Sequence, residues 1–173
     1  KSAILRFCPS RETCWADISL LSSMYPDKIT VSSIGTTNFE REIPLIILGN
    51  PSASKRVLIH GAMHAREYIT SQVIMLTLER YLRDYDALTY NGVKYSDILS
   101  QVAVYIVPMV NPDGVELVNN GIASVPDGYR DIVLDINKGR SDFSQWKANG
   151  LGVDLNNNYG VLGSIDGKNY ASV

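Results

Sequence analysis

With 173 residues, 45% of them hydrophobic and 20% charged, the chain has the composition of an ordinary globular domain or of part of a larger one. A net charge of −2 and a pI near 5.7 leave no basic footprint for nucleic acid or an anionic membrane surface. The longest apolar runs, such as VAVYIVPMV at 102–110, fall far short of the roughly 18 residues that a membrane-spanning helix needs.

The opening KSAILRFCPS has no initiator Met, and its apolar run is too short for a signal peptide. It reads as an artificial boundary or a mature amino terminus, with cytoplasm and secretion both open. Cys8 and Cys14 could close a small disulfide loop in an oxidising compartment, and two reduced thiols fit the sequence at least as well. From Glu12 to Tyr25 the residues Cys14, Ile18, Leu21 and Tyr25 recur at three- and four-residue steps before Pro26, which predicts an amphipathic helix and its stop. KITVSSIG (28–35), REIPLIILG (41–49) and KRVLIHG (55–61) predict short strands, the first two paired as a hairpin. The run VLI within the third has no polar alternation, which predicts a strand buried on both faces beneath helices. A second helix is predicted over Glu67 to Tyr85, with Ile69, Val73, Leu76, Tyr81 and Leu82 on its apolar stripe. VAVYIVPMV predicts another buried strand, next to KRVLIHG in the centre of the sheet, cut by Pro108 and ending in the turn residues NPDG (111–114). From about Asn119 to Gly152 the chain is polar and weakly periodic, as a functional or partly mobile connection would be, before GVDLNNNYG (152–160).

Both histidines fall in HGAMHAREYIT (60–70), where an apolar strand meets a helix. That junction lies at the carboxyl edge of a sheet, where open α/β proteins build their sites. His64 and Glu67 stand three residues apart, so on a first helical turn they share a face, and imidazole and carboxylate are both ordinary zinc ligands. Taken alone the spacing is a weak signal, and its plainer reading is a capping glutamate beside a turn histidine. A catalytic zinc takes three protein ligands and an open position. His60 reads as a packed, hydrogen-bonded structural residue, with participation in an irregular metal site as the alternative. Asn111, Asp113 and Gly114 read as the shape of a tight turn, and Trp146 as a packing anchor.

HGAMHARE, NPDG, WKANG and GVDLNNNY occur in that order, and together they resemble the zinc carboxypeptidase family, the M14 metallopeptidases. The likeness runs from about Glu12 to Tyr159 and is greatest to bacterial members that trim cell-wall peptides containing γ-D-glutamyl and diamino acid units. It implies a three-layer α/β/α sandwich around a mixed sheet, of which these 173 residues would be the amino-terminal portion of a single catalytic domain. It also implies Zn2+ as cofactor, with His64 and Glu67 as two metal ligands, and a peptide substrate, murein peptides included. Arg66, Asn156 and Asn157 would line the substrate site, and Asp154 would orient His64 through its other ring nitrogen.

Three departures from the family pattern bear on activity. The arginine that forks onto a C-terminal carboxylate falls on Asn157, whose amide lacks the charged, bidentate contact. The arginine that assists the oxyanion falls on Lys147, a point charge of poorer geometry. No histidine follows His64, so neither the third zinc ligand nor the catalytic glutamate carries over. The expectation is therefore a zinc peptidase whose site is incomplete in this chain. Two other readings compete with it. One is a catalytically silent remnant that binds peptide or self-associates through an interrupted sheet edge; the other is a zinc deacylase of the aspartoacylase type.

Overall fold

The computed structural model describes residues 9–158. The first element, α1 (Arg11–Met24), starts where a reciprocal cap is available: the Ser10 side chain accepts from Thr13 N while Thr13 Oγ1 accepts from Ser10 N. Its buried stripe is Cys14, Asp17, Ile18 and Leu21, with the expected helical period. Cys8 lies outside the described residues, and with it the question of a disulfide to Cys14.

β1 (Ile29–Thr36) and β2 (Glu42–Gly49) form the expected antiparallel hairpin. β3 (Lys55–His60) leads through a 3-10 turn at Ala65–Glu67 into α2 (Ile69–Arg83). A small hairpin, β4 (Thr89–Tyr90) and β5 (Val93–Lys94), turns on Asn91 and Gly92, both at positive φ. Then come α3 (Tyr95–Leu99) and β6 (Val102–Val107). The sheet order is β1-β2-β6-β3, with β6 antiparallel to β2 and parallel to β3, so the sheet is mixed.

Helices α1 and α2 pack on the face that carries Ile46, Leu48 and Ile106. Leu45, Leu58, Tyr105 and Val107 instead line an open groove of about 660 Å³. Three expectations are corrected here. β3 does neighbour β6, but among the described residues it stands at the edge of the sheet rather than in its centre. Val57, Leu58 and Ile59 are 47%, 65% and 38% exposed, because β3 pairs on one side only and no described helix covers it. His60 is exposed for the same reason and is not a packed core residue. In α2 the buried residues are Ser71, Met75, Leu78, Glu79 and Leu82, with Tyr81 packed against the core, while Ile69 and Val73 are exposed; periodicity found the helix together with Leu82 and Tyr81, but misplaced the buried face of its first half.

NPDG is more than a turn. Asn111 caps α4 (Pro112–Asn120) by accepting from Gly114 N, and Pro112 occupies the first turn, where its missing N–H costs nothing. The connection that follows holds α5 (Arg130–Ile136) and a second apolar cluster of Leu117, Val125, Val133, Phe143 and Trp146. Trp146 anchors it, 2% exposed, with its indole N–H donating to Asn149 O. No described helix is long and apolar enough to cross a membrane.

Candidate functional site

The loop after β3 is tied to the end of β6 through backbone bonds from Gly61 N to Val107 O and from Val110 N to Gly61 O, each 3.0 Å. The Asn111 amide then donates to two carbonyls, Met63 at 3.1 Å and Ala148 at 3.0 Å. One buried side chain thus joins the histidine loop to the WKANG segment. Ala65 N donates to Lys147 O at 3.0 Å and adds a second tie between them. α4 can come this close only because residue 114 has no side chain: a Cβ there would press into the Ala148 carbonyl and sit 2.8 Å from Ala65 Cβ.

His64 caps the 3-10 turn, and a period of three residues brings His64 and Glu67 to the same side of it. His64 Nδ1 is 3.0 Å from Glu67 Oε2. On the other side of the ring, Nε2 is 3.3 Å from Asp154 Oδ1, which is within charge-contact range. The angles there do not make a hydrogen bond, and Nε2 is left buried without one. Asp154, 7% exposed at its side chain, is firmly held: Oδ1 accepts from Asn156 N at 3.0 Å and Oδ2 from the Asn157 amide at 2.8 Å. Glu67, by contrast, is half exposed.

The structure thus brings His64, Glu67 and Asp154 together. Arg66 is close by in the chain, with Nη1 donating to Gln145 Oε1 at 2.7 Å and to Gln145 O at 3.3 Å. Lys147 reaches the cluster through its backbone carbonyl; its side chain is half-buried. The Asn156 side chain is exposed, whereas the Asn157 amide is directed onto Asp154. His60 lines the open groove with Leu58 and Tyr105, apart from this cluster. Sequence reasoning missed the bridging role of Asn111, for which an Asn-Pro pair ahead of a helix was the available signal. Nothing in the sequence pointed to Gln145.

An imidazole nitrogen and a carboxylate oxygen side by side on one turn are donors of the kind that zinc accepts. A buried opposite nitrogen facing a carboxylate is how a ligating imidazole is commonly held. In kind, then, the residues fit such an ion; in number they fall short. Among the described residues no group of three or more His, Cys, Asp or Glu could hold a metal.

Residues 15–172 match the family model of zinc carboxypeptidases, peptidase M14. The gamma-D-glutamyl-L-diamino acid endopeptidase 1 of Lysinibacillus sphaericus is 37% identical over 144 residues, which cover 83% of this chain and 35% of that protein. The inactive metallocarboxypeptidase ECM14 of Ajellomyces dermatitidis is 32% identical over 100 residues, 55% of this chain and 16% of its own. Among solved structures, thrombin activatable fibrinolysis inhibitor superposes with a TM-score of 0.60 over 81% of this chain and 29% of its own, at 18% identity, a likeness of fold. The chain spans about a third of the length of the first curated relatives it matches.

Proposed function

The chain belongs to the zinc carboxypeptidase family of peptidases, and from that premise we propose that it is the amino-terminal portion of a zinc peptidase domain, with His64 and Glu67 as two of the metal ligands. The observation that carries this reading is the 3.0 Å approach of His64 Nδ1 to Glu67 Oε2 at the carboxyl end of a parallel strand, with Asp154 behind the ring. Bound zinc supplies a polarised carbonyl and a water of lowered pKa. This chain's own residues do the rest of the positioning. Asp154 orients the imidazole, and Gln145 holds the guanidinium of Arg66, the residue before Glu67. Asn156 offers an exposed amide to a peptide, and Lys147, tied to Ala65 through its backbone carbonyl, is the residue proposed to supply a cation.

The substrate we propose is a peptide, with γ-D-glutamyl–diamino acid linkages of the murein type as the first candidates. The 37% identity to an endopeptidase named for that linkage supports this. So does Asn157, which has no charged fork for a free C-terminal carboxylate and whose amide is engaged with Asp154.

One test concerns metal. Two ligands hold an ion poorly, so calorimetric titration of the metal-free chain should give weak zinc binding that His64→Ala abolishes, and no peptide hydrolysis. Tight stoichiometric binding with hydrolysis would mean that other groups in this chain complete the site. Hydrolysis by a longer parent protein is expected on γ-D-glutamyl peptides ahead of simple C-terminal residues. A second reading, a chain that binds peptide without cleaving it, is favoured by the likeness to a relative named inactive. Peptide affinity without turnover in the longer parent would establish it.

A further inference from the structure

Taking His64 as a metal ligand, as proposed above, we infer that Asn157 is a positioning residue: its amide clamps Asp154 so that the imidazole proton stays on Nε2 and Nδ1 presents a lone pair to the ion. His64 stands between two carboxylates, Glu67 Oε2 at 3.0 Å from Nδ1 and Asp154 Oδ1 at 3.3 Å from Nε2. A neutral imidazole has one N–H, so the two carboxylates compete for it. If Glu67 wins, Nδ1 carries the proton and cannot bind metal. If Asp154 wins, Nδ1 is free to ligate.

Burial favours Asp154, because a carboxylate 7% exposed acts through a lower dielectric than Glu67, which is 50% exposed. Distance and alignment favour Glu67. The balance therefore depends on Asp154 keeping its orientation, and a carboxylate turns readily about its last torsion, which is broad. Asn156 N holds Oδ1 alone, and one donor does not fix that torsion. The Asn157 amide on Oδ2 at 2.8 Å supplies the second point and sets the plane of the group. It does so without charge, so the negative field at Nε2 is not neutralised as it would be by an arginine or lysine at 157.

The chain suits a direct test, because it contains only two histidines. In metal-free, 15N-labelled protein at about pH 8.5, roughly two units above the ordinary imidazole pKa, ring nitrogen shifts report the tautomer, and His60→Ala assigns the signals. We expect His64 to be mainly the Nε2–H tautomer. In Asn157→Leu it should shift towards Nδ1–H, and zinc affinity should fall about 10- to 100-fold. Asn157→Ala repeats the deletion in case the leucine does not fold, and Asn157→Gln, which keeps the donor, should recover part of the effect. Asn158→Ala is the control, since its amide donates to the Asp154 backbone carbonyl. It should leave the tautomer unchanged. An unchanged tautomer in both Asn157 deletions, or an equal shift in Asn158→Ala, overturns the inference. If His64→Ala does not alter zinc binding, the ligand assignment fails, while the tautomer measurement still decides the clamp.

Discussion

Gly114 and Asn111 do at residue scale what a whole connecting element does in larger sites. The missing side chain at 114 lets α4 touch the Ala65 turn, and Asn111 spends three hydrogen bonds on joining loops that are far apart in sequence. Gly114→Ala should therefore cost about 1–3 kcal/mol by overpacking, read as a lower urea midpoint at unchanged m value. It should also weaken zinc binding, because Ala65 is the residue next to His64. The residues of the HxxE string and Asp154 were legible because their chemistry is local and their motifs are ordered. The orientation of Asn157 was not: whether an amide faces substrate or a neighbouring carboxylate depends on a turn geometry, Asp154 to Asn158, that composition does not encode.

Elements divide in the same way. The β1–β2 hairpin, α1, α2 and the neighbouring β3 and β6 follow from period and punctuation, which are properties of a short window; α3, α4 and α5 do not. Burial is not such a property. VLI in β3 has the composition of a covered strand, yet among the described residues it is paired by β6 alone and stands exposed. The consequence can be measured by comparing two substitutions. Ile46→Ala, at a fully buried β2 position, should cost about 2–5 kcal/mol in denaturant unfolding. Leu58→Lys, on β3, should change stability by no more than about 0.5 kcal/mol. It should also reduce concentration-dependent association in sedimentation, because an apolar, unpaired edge is where sheets add to one another. Equal costs at the two positions would show that β3 is covered in solution.

For the whole molecule, the apolar side chains form two clusters. One lies between α1, α2 and the sheet, and the other beneath the segment from α4 to Trp146. Of the second only Trp146 was legible, as a packing anchor, because its other residues are spaced irregularly and are drawn together by 3-10 turns and a short helix, which leave little periodicity to read. Links between the two sides at the site include the Asn111 amide, the Ala65–Lys147 bond, the Arg66–Gln145 pair, and the Arg41 guanidinium on buried Asp113, 2.7 Å away.

Proteins open in cooperative units, and units with separate cores open with separate free energies. Histidine and glutamate follow β3 of the sheet, although Ala65 between them packs into the second cluster, whereas the carboxylate behind the ring comes from the far end of the segment that covers that cluster. Amide exchange should therefore show Trp146 and Val153 opening as one group, at lower free energy than Ile46 and Ile106. Asn111→Ala should lower the first threshold more than the second. A single shared threshold for all four amides would argue against it. The proposed ligand pair could then survive, intact and exposed, in a state where its orienting carboxylate has already swung away. Metal capture and productive alignment would be two separable equilibria in this molecule, and a variant could lose the second while keeping the first.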